Sequence, residues 1–418
     1  MEKIVIIADD LTGACDTGIK FRNCDWETTV CVRAQICHNL DTVGSPVVSI
    51  NTDTRSVTPE EAYETVSSTL KAIKGFGDCF YYKKVDSVLR GNIASELEAC
   101  FHVLNAEFAL IAPAFPTTNR RVLDGRLYIG AEDAPEAVVD AQAVVTAGSR
   151  RICRSVSLET IRSGPEAVID RIRQLQEEGA TLILADSWCN GDLRIVAQAA
   201  MHFGSRCIPV GSAGLARHLA VLLDDGSKPK SSAPKEHDFP KGALMVVVGT
   251  QHPATVEQVQ RLKAEEPMDT YLLEVEGITP ENVSQRVKDL LDTGRTAAEN
   301  KGILLTTDRI YNDTDRCRHL LQANAHNCSI LTAIGLAVKE LSRRTPVRGI
   351  IATGGDVASR IFGQLHLDRI ALMKEPSPGI VIGQAEGEDN MKVLIATKSG
   401  GFGDRDALLN LYRNMNAM

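Results

Sequence analysis

Lys3-Ile4-Val5-Ile6-Ile7-Ala8-Asp9-Asp10 is the stretch on which the fold turns. Its apolar run is unbroken, with no alternation of polar and apolar positions. That is the pattern of a strand buried on both faces, as in a parallel sheet covered by helices. Two aspartates then end the run at the strand exit. Moving outward, strands are expected at residues 28–33, 46–51, 79–84 and 107–112. Between them Thr58-Pro59-Glu60-Glu61 opens a helix to about residue 74: Thr58 caps, Pro59 suits the first turn and Glu61 completes a capping box. A second helix is expected at 92–104. Further on, 165–178 and 213–223 read as helices and 181–185 as a strand. This β-α-β rhythm predicts a mostly parallel sheet.

Residues 224–242 (DDGSKPKSSAPKEHDFPKG) break the pattern, with Pro, Ser, Lys and Asp and no apolar period. The α/β rhythm then restarts. Strands are expected at 243–249, 271–275, 302–306, 348–352 and 392–397, and helices at 253–265, 280–291 and 329–343. The sequence therefore predicts two α/β domains, residues 1–226 and 243–418, joined by a linker at 227–242. An active site is expected in the cleft between them.

The chain has 418 residues, 44% hydrophobic and 24% charged, with a formal net charge of −8. That is ordinary for a globular protein, and long enough for two domains. An acidic total disfavours nucleic acid or an anionic membrane as partner. No run approaches the roughly 20 apolar residues of a membrane span. The first apolar run is too short for a secretory leader, so a cytoplasmic location is expected. The eleven cysteines include no C-x-x-C pair. Cys31 and Cys37-His38 lack a second pair at zinc-finger spacing, so buried free thiols are expected rather than a metal centre.

In open parallel sheets ligands bind beyond the carboxyl ends of the strands. The expected exits of the first domain carry Asp9, Asp10, Thr12 and Gly13; Asn51 to Arg55; Lys84, Asp86, Ser87 and Arg90; and the run Pro113 to Arg121. Each residue alone could be a helix cap. Together they suit a small polyhydroxy carboxylate, with Arg and Lys for the carboxylate and Asp for the hydroxyls. Phosphatases of the haloacid-dehalogenase class also carry two Asp after a first strand, but two positions apart. Here the two are adjacent and point to opposite sides in extended geometry, with Asp10 taken as the cleft residue. In the second domain, Thr353-Gly354-Gly355-Asp356 lies between a strand and a helix, the layout of a phosphate cradle. Lys398-Ser399-Gly400-Gly401-Phe402-Gly403 and Gly249-Thr250-Gln251-His252-Pro253 are similar exits. His252 reads either as a nucleotide contact or as a cap. Gly211-Ser212-Ala213-Gly214 reads either as an anion site or as a tight packing turn. No G-x-x-x-x-G-K-[ST] occurs, and no G-x-G-x-x-G follows the first strand.

In order, IADDLTGACDTG, NTDTR, KKVDSVLRGNI, PAFPTTNRR, LILADS, GSAGLA, IATGGDVAS, EPSPGI and TKSGGFGD resemble the four-carbon acid sugar kinase family over nearly the whole chain. The resemblance implies an N-terminal substrate domain and a C-terminal nucleotide domain, with transfer of the ATP γ-phosphate to the terminal hydroxyl of a tetronate. It implies substrate contacts at Asp10, Arg55 and Lys84-Val85-Asp86-Ser87. It implies nucleotide contacts at His252, Thr353, Gly354, Gly355, Asp356 and Gly400. The family often has Gly-Ser-x-Ser where this chain has Gly249-Thr250-Gln251-His252, so an imidazole replaces a hydroxyl there. The Lys84-x-Asp86-Ser87-x-Leu89-Arg90-Gly91 pattern resembles the threonate and erythronate kinases. The 3-oxo-tetronate kinases instead carry a Cys-Ser-Thr-Phe-Asp-Ser-Thr type run. On this reading Arg55 and Lys84 hold the carboxylate, Asp86 and Ser87 bind hydroxyls, and Asp10 takes the terminal hydroxyl's proton. Mg²⁺ neutralises the ATP phosphates, through ligands the sequence does not identify. The partners are a small sugar acid and ATP, with homo-oligomerisation left open. The rival readings are a 3-oxo-tetronate 4-kinase, a non-catalytic sensor of sugar acid or nucleotide, and a phosphatase of the dehalogenase class suggested by Asp9-Asp10.

Overall fold

The computed structural model describes residues 3–35, 43–74, 79–224, 239, 241–250, 252–293, 302–308, 324–387 and 392–418. The chain divides into two compact units, Met1–Ser231 and Ser232–Met418. Of the expected linker, only Phe239, Lys241 and Gly242 are among the described residues.

The strands of the first unit's main sheet are β1 (Lys3–Ala8), β2 (Thr28–Cys31), β3 (Val47–Asn51), β4 (Cys79–Lys84) and β5 (Phe108–Ala112). A small antiparallel sheet of β6 (Arg120–Leu123), β7 (Arg126–Ile129) and β8 (Glu136–Asp140) follows, and was not foreseen. The main sheet resumes with β9 (Ile152–Val156), β10 (Ala180–Ala185) and β11 (Cys207–Gly211). Its order is β2-β3-β1-β4-β11-β5-β10-β9, and the pairings are parallel. The helices are α1 (Leu11–Arg22), α2 (Pro59–Ile73), α3 (Ile93–Leu104), α4 (Ala141–Val145), α5 (Leu158–Arg162), α6 (Pro165–Glu177), α7 (Asn190–Phe203) and α8 (Ala213–Leu222). The Thr58–Glu61 capping box forms at the start of α2. In β1, Ile4 and Ile6 pack into one core with Phe21 of α1 and Leu215 of α8, while Val5 and Ile7 pack into another with Leu70 of α2 and Leu97 of α3. Both faces of the sheet are thus covered, as the unbroken run of β1 requires.

The second unit has β12 (Ala243–Val248), β13 (Met268–Leu273), β14 (Gly302–Thr307), β15 (Val347–Thr353), β16 (Leu367–Ser377), β17 (Ile380–Gly387) and β18 (Lys392–Lys398). Their order is β13-β14-β12-β15-β18-β17-β16. The first five are parallel, and β17 runs antiparallel to both neighbours. The helices are α9 (Pro253–Glu265), α10 (Val283–Thr293), α11 (Asn324–Arg344), α12 (Gly355–Gln364) and α13 (Ala407–Asn416). Strand β13 lies earlier than the expected 271–275, because it starts almost as soon as α9 ends. The β16–β17 hairpin also escaped the sequence reading; it turns at Pro378-Gly379, with Gly379 at φ +75°, the Pro-Gly order of a type II turn.

Two expectations need correction or placement. Cys31 is disulfide-bonded, not a free thiol, whereas Cys15, Cys100, Cys153 and Cys207 are buried and outside any disulfide, as are the less buried Cys24, Cys79, Cys189 and Cys328. The Cys37-His38 pair lies outside the described residues. No helix among the described residues is long and apolar enough to cross a membrane.

Candidate active site

Strand order locates a crevice in each unit. In the first, β1 lies between β3 and β4. Helix α1 leaves β1 toward one core and α3 follows β4 into the other. The neighbouring exits of β1 and β4 are therefore a topological switch point, where open α/β sheets bind ligands.

Asp9 and Asp10 leave β1 there. The Arg55 guanidinium binds both. Its Nε donates to Asp9 Oδ2 at 2.7 Å, and Nη2 donates to Asp9 Oδ1 at 2.9 Å and Asp10 Oδ1 at 2.6 Å. Asp10 also caps α1, accepting from Gly13 N at 3.0 Å and from the Thr12 hydroxyl. The two carboxylates thus converge on one guanidinium, contrary to the expectation of opposite sides. The reason is local: Asp10 is extended, but the chain turns into α1 immediately after it. Burial pushes the Asp9 carboxyl up, yet Arg55, with Lys84 and Lys83, more than reverses this and holds it below its usual range. Burial likewise opposes the charge on Arg55, and Asp10 and Asp9 override it, raising its pKa. Arg55, expected to hold a substrate carboxylate, therefore spends much of its donor capacity on ordering the aspartates.

Asp86 is committed in a similar way. Its carboxylate accepts from Arg90 Nε at 2.7 Å and Arg90 Nη2 at 3.0 Å, and lies 3.8 Å from Arg55. Burial works against its charge, while Arg90 and Arg55 keep its pKa well below normal. The Val85 side chain belongs to the hydrophobic core, and its N–H bonds to Gly211 O at 2.9 Å, so little of it is offered to a ligand.

Lys84 differs. It ends β4 opposite Ala8 and is only 4% exposed. No ion pair or hydrogen bond engages its ammonium among the described residues. A methyl group added at Gly13 would sit 2.5 Å from Asp10 Oδ1 and 2.9 Å from Lys84 Nζ, so the amine and the α1 cap share one small space. Ser87, next in the exit, is half-buried, and its hydroxyl makes no hydrogen bond among the described residues. Beneath lies a support the sequence reading missed. Lys83 Nζ pairs with Glu96 Oε2 at 2.7 Å, both about 1% exposed. Glu96 Oε1 accepts from the Thr54 hydroxyl at 2.5 Å. Thr54 N and Arg55 N in turn donate to Asp9 O. The only hint was a second lysine at the end of an apolar strand. The Gly211–Gly214 turn resolves as packing: Ser212 Oγ donates to Ala114 O, and a methyl group at Gly214 would lie 2.6 Å from that same oxygen.

In the second unit β12 lies between β14 and β15, and β15 beside β18. The three glycine-rich exits are therefore neighbours. His252 Nδ1 caps α9, accepting from Ala254 N at 3.3 Å, so its ring is the helix cap that was one of its two readings. Gly354, at φ +97°, donates its N–H to Lys398 O at 2.8 Å, and Thr353 is fully buried with its hydroxyl donating to Val247 O. Asp356 is exposed in the first turn of α12. A methyl group at Gly400 would come within 2.7 Å of Thr250 Oγ1, and one at Gly401 within 3.1 Å of His252 Nε2. Only bare backbone allows the loops to approach this closely. Among the described residues, no group of three or more His, Cys, Asp or Glu is placed to hold a metal ion.

Each unit is thus an α/β layer structure whose neighbouring strand exits gather polar or glycine-rich loops. Residues 4–219 match the sugar-binding N-terminal domain family and residues 245–408 the nucleotide-binding C-terminal domain family. The chain belongs to the four-carbon acid sugar kinase family that these two domains make up. It is 26% identical over 412 residues to a D-threonate kinase of Bordetella bronchiseptica, covering 97% of this chain and 96% of the relative. It is 26% identical over 433 residues to a D-erythronate kinase of Heliobacterium modesticaldum, covering 97% and 95%. A solved structure titled a putative tRNA synthase, from Salmonella typhimurium LT2, has the same fold, with a TM-score of 0.76 at 22% identity, covering 99% of this chain and all of that one.

Proposed function

We propose that this chain is a cytoplasmic ATP-dependent kinase that phosphorylates the terminal hydroxyl of a four-carbon sugar acid, D-threonate or D-erythronate. Residues 1–226 take the acid and residues 243–418 the nucleotide. The observation that carries the acid site is the buried Lys84 ammonium beside Asp10 at the β1–β4 switch point, which makes no ion pair or hydrogen bond among the described residues although Asp9 and Asp86 lie within its electrostatic reach. A buried ammonium whose donors are not taken up is a place for an anion, and a tetronate supplies one carboxylate. Ser87 then bonds a substrate hydroxyl.

Asp10, held by Arg55 and the α1 N-terminus, accepts a hydrogen bond from the terminal hydroxyl. As the oxygen attacks the γ-phosphorus, its bond to phosphorus forms, the bond to the ADP oxygen breaks, and the hydroxyl proton passes to Asp10. Such a transfer needs mainly positioning and charge stabilisation. The amides of the Thr353–Asp356 and Ser399–Gly403 loops suit the phosphates. Mg²⁺ bound to nucleotide usually keeps several waters and takes one or two protein carboxylates; Asp356 is the carboxylate of this exit that fits.

The test is ADP release by the full chain on mixing Mg-ATP with a panel of four-carbon acids. Release with D-threonate or D-erythronate is expected. ADP released only with 3-oxo-tetronates would reassign the substrate. Binding without ADP release across the panel would make the chain a sensor.

A further inference from the structure

Lys398 ends β18 and is fully buried. Its Nζ lies 3.3 Å from Thr255 Oγ1 on α9, 3.1 Å from Ser399 O and 3.3 Å from Gly400 O. Thr255 Oγ1 itself donates to Gly400 O at 2.6 Å. The carbonyl of Lys398 accepts the Gly354 N–H at 2.8 Å, at the place where β18 pairs with β15. One residue therefore ties the β18 glycine loop to α9, which follows β12, and to the loop after β15. Every partner of the ammonium is a neutral oxygen. The titratable groups near these exits are His252 at the start of α9, Asp356 at the start of α12 and Asp404 after the glycine loop. None of them acts on the amine, and burial alone lowers its pKa, to about 8.

A neutral amide could cross-link the same carbonyls. An ammonium adds a positive charge that no anionic group among the described residues pairs with, directly beneath the loop whose amides the nucleotide reading assigns to phosphate. We propose that Lys398 is the buried positive charge of this polyphosphate site, ordering the Ser399–Gly403 loop from below and neutralised only when the phosphates of a nucleotide bind above it. It is a positioning residue, since it touches the loop rather than the substrate. The inference rests on the nucleotide assignment made above.

Proton linkage tests it. Free protein loses the Lys398 proton as pH rises through about 8. A bound anion favours the charged form and raises that pKa. ADP binding at pH 8.5 must then draw a large fraction of one proton from the buffer. This is measured by titration calorimetry of the full chain in two buffers of different ionisation enthalpy. Lys398→Met should abolish the uptake and weaken ADP at pH 7 about tenfold or more. Lys398→Arg should retain pH 7 affinity in part, with no uptake. If ADP binds the wild-type chain tightly at pH 8.5 with no proton taken up, the inference is wrong while the nucleotide site stands. If ADP and ATP fail to bind at all, the nucleotide assignment itself falls. The wild-type measurement decides even if the variants do not fold.

Discussion

Gly13 is where the first exit is tightest. A side chain there would strike Asp10 Oδ1 and Lys84 Nζ together, and neither can retreat far from its buried position. Gly13→Ala should lower kcat/KM for the acid at least about tenfold and leave ADP binding unchanged, as read by steady-state kinetics beside calorimetry. Arg55 bears on stability as well as on the site. Arg55→Met leaves the Asp9 and Asp10 carboxylates buried without their guanidinium, at an expected cost of about 3–5 kcal/mol in urea unfolding. Its pH signature has a definite sign. In the wild type the folded pKa of Asp9 is depressed, so its contribution is complete above the ordinary carboxylate value of about 4 and is lost as pH falls through the lower folded pKa. Without Arg55, burial dominates and the folded pKa of Asp9 rises, which reverses the sign: the variant should gain stability as pH falls through the raised value, where the wild type only begins to lose it. These roles were only half legible in the chain. Asp9, Asp10, Arg55 and Asp86 stand out at strand exits, but nothing in their spacing says that Arg55 would be shared between two aspartates or that Arg90 would take Asp86. Such pairings depend on side chains from different exits meeting.

At the scale of elements, unbroken apolar runs marked the parallel strands β1, β5 and β12, because burial on both faces leaves no polar position. Capping chemistry marked α2. The sheet of β6, β7 and β8 was missed, since its strands are four or five residues long and partly exposed, too short for a period to emerge. The β16–β17 hairpin was missed for another reason: Pro376 at the end of β16 and Pro378 in the turn suggest a loop. The buried Lys83–Glu96 pair joins β4 to α3 and holds the Thr54 hydroxyl. Glu96→Gln should cost about 3–5 kcal/mol, because it strands a buried ammonium. Lys83→Met combined with Glu96→Leu should recover most of that loss, while a double mutant no more stable than Glu96→Gln would show that the charges themselves hold the strand exit.

At the scale of the whole molecule, two compact units with a crevice apiece predict separable ligand effects. ADP at a hundredfold excess over its Kd should stabilise the chain by about 2.7 kcal/mol, seen as a rise in Tm, and the tetronate should do so independently. Lys84→Met should remove the tetronate's shift and keep that of ADP; loss of both shifts would contradict the division of labour. The chain by itself determined the α/β class, the two-domain organisation and the set of polar strand exits, because these follow from local apolar periodicity and from turn residues that act over a few positions. Only the tertiary structure decided that Lys84 makes no ion pair among the described residues whereas Arg55 and Asp86 are engaged, that His252 caps a helix, and that Lys398 lies buried beneath the Ser399–Gly403 loop. Each of those depends on which strands become neighbours, and strand order is set by packing between residues far apart in sequence.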